Sequence, residues 1–368
     1  MPNSRTPSFI NMQHSIIVNA TALDSSGALG ILRQFVDNIP VATQYRWLIF
    51  SSDKVDVVSN YPKVDIVPIS NVKSLVRRFL WDAFGIKRWL AQRGIVPAAT
   101  ISLQNTGFNC GSEVPNFIYY HQPIPLMHFS WNILNREHRS LWFYKNIYPV
   151  FIRLFLKDTT EIFVQLEYIK DLFTKKFGVN NEKIHVVHPT VYIPQDSSIE
   201  DIALHEERIN LFYPATPFFY KNHSMLINAL KFAKNTPKLY LTCNSSEIAI
   251  SHNDALEFLG RIPYERVLSM YKSCDALVFP SYIETYGLPL IEAASLGVPI
   301  IAADLPYARE VLEGYDGVTF VSHDDVNGWA EAISKLEKGL RYKPMQMKNR
   351  SSWEKLFSII DKRININR

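Results

Sequence analysis

Cysteine is scarce in this chain. Cys110, Cys243 and Cys274 are an odd, scattered set with no C-x-x-C spacing among 368 residues. That argues against a disulfide framework and a thiolate zinc site, and it points to a reducing, cytoplasmic compartment. No apolar run reaches the roughly 20 residues a bilayer-crossing helix needs. The first apolar segment, Ser15 to Ala20, is too short for a signal-peptide core and reads as a first strand. Internal repeats and low-complexity tracts are also missing. With 47% apolar and 20% charged residues the composition is globular rather than disordered. Nor is there a D-x-D triplet, the obvious carboxylate cluster for a divalent ion. Neither a metal nor a resident cofactor is therefore expected.

The length suits two domains of ordinary size better than one core. The net charge of +4 is uneven: residues 1 to 190 hold 20 Lys and Arg against 13 Asp and Glu, and residues 191 to 368 hold 19 against 22. The halves therefore differ as +7 and −3, so the first half is expected to face something acidic. Its apolar runs alternate with helical stretches. Strands are predicted over 15–20, 46–50, 65–68, 99–103 and 116–120, and helices near 28–38, 74–93 and 136–156. A second alternation follows from 209, with strands over 209–213 and 238–241 and helices over 222–234 and 263–272. The polar, acid-rich stretch 191–208 reads as the linker. The pattern predicts an α/β chain with two doubly wound, Rossmann-like domains over 1–190 and 209–345, facing across a cleft, and a helical segment over 346–368 returning to the first.

The most informative stretch is Pro280-Ser281-Tyr282-Ile283-Glu284-Thr285-Tyr286-Gly287-Leu288-Pro289-Leu290-Ile291-Glu292-Ala293, followed by Gly297-Val298-Pro299. Ala276 to Phe279 reads as a buried parallel strand that Pro280 ends. Pro289 is preorganised for a first helical turn, and Gly297 stops the helix. The amides of Gly287 and Leu288 would project from a helix N-terminus of roughly +0.5 charge, a setting that suits a phosphate. Glu284 precedes that terminus and Glu292 lies about one turn inside it. Carboxylates flanking a phosphate cradle are best matched to hydroxyl groups, because an ionised Glu accepts two hydrogen bonds from a diol. The arrangement predicts a nucleoside-diphosphate sugar, with Glu284 on the hexose, Glu292 on the ribose, and Thr285 and Tyr286 in the donor loop.

These residues resemble the E-x7-E signature of retaining glycosyltransferases of family 4. The resemblance implies a GT-B fold and transfer of a sugar from a nucleotide donor with retention at the anomeric carbon. It places the first Glu by the donor sugar and the second on the ribose. It also implies a cation pair on the diphosphate, of which Lys221, just before the predicted 222–234 helix, is the lysine. The arginine that family members carry upstream is replaced by Ala215 or a neighbour. Arg261, in Leu259-Gly260-Arg261-Ile262-Pro263, is either its substitute or an ordinary exposed arginine. With no D-x-D, Lys221 and the helix N-terminus are expected to neutralise the leaving diphosphate without metal. His121, at the end of the predicted 116–120 strand, either lines the site or is satisfied by local backbone. Retaining transfer on this fold is described as a same-face displacement assisted by the leaving phosphate, so His121 need not be a base. Gly27, in Ser25-Ser26-Gly27-Ala28-Leu29-Gly30 after the first strand, resembles the family's glycine-bearing loop between donor phosphate and acceptor.

Two stretches bear on a membrane. Lys73 to Arg93 has six basic residues and one acid interleaved with Trp and Phe, and Trp131 to Lys157 adds further aromatics among cations. Both fit either an anionic lipid interface or a domain core with a solvated basic face. No nucleic-acid motif accompanies the charge, so no nucleic-acid partner is expected. The expected acceptor is a saccharide or lipid-linked oligosaccharide, as in bacterial O-antigen or capsule assembly. A sugar-nucleotide epimerase or phosphorylase, and a non-catalytic sugar-nucleotide-binding subunit, are the rival readings.

Overall fold

A computed structural model describes residues 15–24, 26–59, 61–72, 74–191, 193, 199–248, 253–346 and 353–366. The chain divides into two compact units, one of residues 1–190 with 350–368, the other of residues 191–349.

The first unit holds seven parallel strands: β1 (Ser15–Ala20), β2 (Arg46–Ser52), β3 (Val64–Ile69), β4 (Pro97–Ser102), β5 (Asn116–Tyr120), β6 (Thr160–Val164) and β7 (Ile184–Val186). Their order is β3-β2-β1-β4-β5-β6-β7, so the chain reverses direction across the sheet between β1 and β4. Every residue of β1 is buried, as a central parallel strand covered on both faces requires. Ile16 and Val18 enter one core with Phe35, Trp47, Trp353 and Phe357, whereas Ile17 enters the other with Leu48, Phe50, Ile86 and Leu90. The helices are α1 (Ser26–Asp37), α2 (Leu75–Leu80), α3 (Ile86–Ala91), α4 (Arg139–Asn146), α5 (Tyr148–Phe155) and α6 (Glu167–Phe177).

The second unit repeats the winding with β8 (Asn210–Tyr213), β9 (Lys238–Leu241), β10 (Leu256–Phe258), β11 (Ala276–Phe279), β12 (Ile300–Ala303) and β13 (Val318–Val321), ordered β10-β9-β8-β11-β12-β13. Around them lie α7 (His223–Leu230), α8 (Tyr264–Ser273), α9 (Leu288–Ser295), α10 (Pro306–Val311) and α11 (Val326–Ser334). The last helix, α12 (Trp353–Ile366), returns to the first unit. There Trp353 stacks on Tyr119 at 5.2 Å and meets Phe35 edge-on, and Arg363 donates to the buried Glu161 carboxylate at 2.6 Å.

Two predicted helices are interrupted. The 74–93 helix is broken by a π turn at Trp81–Gly85, where the Trp81 indole lies so close over Gly85 that a Cβ there would sit 2.5 Å from it. The 136–156 helix is split at Ile147, because Pro149 lacks the N–H that the preceding turn needs.

Candidate active site

Adjacent strands β8 and β11 flank the switch point of the second sheet, and both end toward the loops that carry the predicted site. After β8 the chain turns through Pro214 and Pro217 into a single 3-10 turn, Phe219–Lys221. After β11 it runs through Pro280 to Gly287 and enters α9. Tyr282 N donates to Tyr220 O at 3.0 Å and joins the two loops, and Asn222, in the left-handed region, donates to His323 O, in the loop after β13, at 2.6 Å. Tyr213 Oη donates to Lys221 O at 2.6 Å, and Tyr307 Oη to Ser281 O at 2.6 Å.

This frame brings Lys221 and Glu284 into contact. Nζ of Lys221 donates to Oε1 of Glu284 at 2.5 Å, with side-chain exposures of 16% and 14%. In a charge pair so largely withdrawn from solvent, each member faces a desolvation cost if the other is removed. His223, two residues after Lys221 and with its ring tilted against Tyr213 at 4.8 Å, is held neutral. Burial, with the Lys221 charge, pushes its pKa down to about 4.

Gly287 caps α9 with φ +83°, a conformation closed to most side chains, and a Cβ there would press on Leu290 and Tyr307. Its carbonyl accepts from Leu290 N at 2.9 Å. Pro289 has no N–H and Leu290 N is taken by Gly287 O, so Leu288 N–H is the first donor at the positive end of α9. Thr285 is half-buried and Tyr286 buried in the same loop.

Glu292 is buried on α9. Its two oxygens accept from Tyr264 Oη at 3.0 Å and Tyr271 Oη at 2.9 Å. Burial raises its pKa against the lowering effect of both hydroxyls. Neither tyrosine was singled out from the sequence, although their separation of seven places them on one face of α8 and is the signal that marks them. Each Glu292 oxygen has a second lone pair, so the carboxylate still has acceptor capacity beside its tyrosines. Arg261 is exposed after β10, next to Gly260 at φ +64°, and Ala215 is buried.

His121 and Gly27 belong to the first unit. His121 Nε2 lies 2.8 Å from Leu103 O, which can only accept, so Nε2 carries the proton and Nδ1 is the acceptor. Burial lowers its pKa, which keeps the ring neutral. Its backbone N–H donates to the Asn105 side chain at 2.6 Å. Gly27 is exposed in the first turn of α1, within the helix rather than in a loop before it; Ser25 lies outside the described residues.

A buried polar network that the sequence did not announce lies at the ends of β1 and β4. Asp82, in the π turn, accepts from Asn19 Nδ2 at 2.7 Å and from Gln104 Nε2 at 3.0 Å. Burial pushes its pKa up to about 7 despite these bonds and the nearby Arg78.

Residues 195–352 match the model of the family described as glycosyl transferases group 1. Over 289 residues the chain is 26% identical to the O-antigen chain mannosyltransferase RfbU of Salmonella typhimurium, which covers 74% of this chain and 75% of that protein. WaaG, a glycosyltransferase involved in lipopolysaccharide biosynthesis, superposes with a TM-score of 0.58 at 14% identity over 95% of this chain and 99% of that one. Anabaena HepE in complex with UDP and glucose does so with a TM-score of 0.54 at 13% identity, over 87% and 89%. At such identities the structural likenesses speak for the fold. Two parallel sheets of Rossmann order and the family match over the second define a glycosyltransferase of the GT-B fold. The group 1 match spans the stretch that holds both Lys221 and the Glu284 to Glu292 segment.

Proposed function

We propose that the chain transfers a sugar from a nucleoside-diphosphate donor to a saccharide or lipid-linked oligosaccharide acceptor, with retention at the anomeric carbon and without a metal ion, in assembly of bacterial surface polysaccharide. The observation that carries this reading is the Lys221–Glu284 pair, held by two loops at the switch point of the second sheet beside the N-terminus of α9. With donor bound, Lys221 and the Gly287 and Leu288 amides take the diphosphate, and Glu284 accepts from hydroxyls of the sugar. Glu292 accepts from the ribose. Transfer breaks the bond from the anomeric carbon to the β-phosphate oxygen and forms a bond from that carbon to the acceptor oxygen on the same face. The acceptor proton leaves on the departing phosphate. Charges fixed in place before the reaction are worth most as negative charge builds on the leaving group. Support for the surface-polysaccharide context comes from the mannosyltransferase relative and the lipopolysaccharide glycosyltransferase of the same fold, and the positive first half of the chain suits an acidic, lipid-linked acceptor.

The test is donor turnover with a panel of uridine, guanosine and adenosine diphosphate sugars. Lys221→Ala and Glu284→Gln are each expected to lower kcat/KM by about 100-fold or more, a loss of about 2.7 kcal/mol. Thermal unfolding of the variants shows whether the fold persists. Excess chelator is expected to leave the rate unchanged. Lys221→Ala turning over at the unsubstituted rate would sink the reading, and loss of all activity in chelator would overturn its metal-free part.

A further inference from the structure

Glu292 is 8% exposed on α9, and each of its oxygens already accepts a hydroxyl from α8, Oε1 from Tyr264 at 3.0 Å and Oε2 from Tyr271 at 2.9 Å. The two tyrosines are not equivalent. Tyr271 is fully buried with its ring edge-on to Phe212 at 5.3 Å, so nothing arriving from solvent reaches its hydroxyl. Tyr264 is the first residue of α8, directly after Pro263, and is 44% exposed. The reaction derived above gives a role to Glu292 and none to Tyr264.

An ionised carboxylate has no proton to give, so the Tyr264 hydroxyl commits its one proton to Glu292 and keeps the lone pairs on its own oxygen. Burial, with the Glu292 charge, pushes the Tyr264 pKa up, and that proton therefore stays in place at neutral pH. Tyr264 Oη and Glu292 Oε1 are thus two acceptors 3.0 Å apart, one of them on a half-exposed residue. The ligand fragment that answers two adjacent acceptors is a pair of donors on neighbouring carbons. A phosphate offers only further acceptors, and a nucleobase stacking on the phenol would use its ring face rather than its oxygen. In a nucleoside diphosphate the matching fragment is the 2′,3′-diol of the ribose.

We propose that Tyr264 is a second ribose contact and a determinant of donor specificity: its hydroxyl oxygen accepts from one hydroxyl of the diol while Glu292 accepts from the other. The inference rests on the proposed placement of Glu292 on the ribose. The experiment is titration calorimetry of the full chain with uridine, guanosine and adenosine diphosphates, then with the 2′-deoxy and 3′-deoxy analogues of the one bound most tightly. The unsubstituted chain is expected to bind each analogue about fivefold or more weakly than the parent. Tyr264→Phe keeps the ring and removes only the oxygen. It is expected to bind the parent about fivefold more weakly and to lose discrimination against one analogue while keeping it against the other, the signature of a direct contact in a double-mutant cycle. Tyr271→Phe, which acts only through Glu292, is expected to leave discrimination against that same analogue intact. Because Tyr264 is half-exposed and its ring is kept, the thermal unfolding midpoint is expected to stay put. Undiminished discrimination against both analogues by folded Tyr264→Phe would overturn this proposal and leave Glu292 on the ribose. Equal binding of parent and both analogues by the unsubstituted chain, or no binding of any diphosphate, would overturn the placement of Glu292 and this proposal with it.

Discussion

Asp82 is expected to set a pH dependence of stability. Its pKa in the folded chain, about 7, stands above the ordinary 3.8 because burial penalises the anion. Between those values the folded state binds more proton than the unfolded state, so stability is greatest at the acid end of that window and falls as pH rises toward 7. At about 1.4 kcal/mol per unit the loss is on the order of 4 kcal/mol. Asp82→Asn is expected to flatten that slope, measured as denaturant midpoints at several pH values. Read from sequence, Asp82 is the lone acid in a cationic stretch. Only the π turn, fixed by the approach of Trp81 to Gly85, turns it inward. Lys221 and Glu284 were legible because each sits where a strand, a proline turn and a helix follow in order. The hydroxyls on Glu292 were not legible, since they come from another helix and the 3.6-residue period of α8 has to be assumed before they align.

At the scale of an element, α9 is defined at both ends by glycines in the left-handed region, Gly287 at φ +83° and Gly297 at φ +70°. Replacing either by Ala costs about 1–2 kcal/mol for conformation alone. The two sites then differ. A Cβ on Gly287 meets the movable Leu290 side chain at 3.2 Å, whereas one on Gly297 collides with the Tyr342 backbone carbonyl. Gly297→Ala is therefore expected to lower the unfolding midpoint several degrees more than Gly287→Ala, and Gly287→Ala to act mainly on donor affinity. The boundaries of α9 were readable to within a residue because Pro289 and Gly297 are local signals. The breaks at 81–85 and 147 were not, because amphipathic periodicity runs across them unchanged. Strands β6, β7, β10 and β13 also passed unread: β6 is buried at every position and the other three are three or four residues each, so none offers an alternation to count.

At the scale of the molecule, alternation of strand and helix was enough to expect two doubly wound sheets, since helices must cover both faces of a parallel sheet. The fate of α12 rests instead on Trp353, Phe357 and Ile360, which fill the core beneath β1, β2 and β4. Trp353→Ala is expected to destabilise the first unit by about 3–5 kcal/mol, seen as loss of near-ultraviolet signal at lower denaturant, with the second unit unfolding as before.

That helix also fixes the order in which the molecule becomes complete. A ribosome emits all seven strands of the first sheet, then the whole of the second unit, before Trp353 leaves the tunnel. At about 5–20 residues per second the wait is roughly ten seconds or more. Throughout it the earlier half stands with an open seam where α12 belongs, while the later half closes on its own. The domain synthesised first is the one that finishes last, and its window for chaperone capture or misassembly is written into the chain by the placement of fourteen residues at the far end.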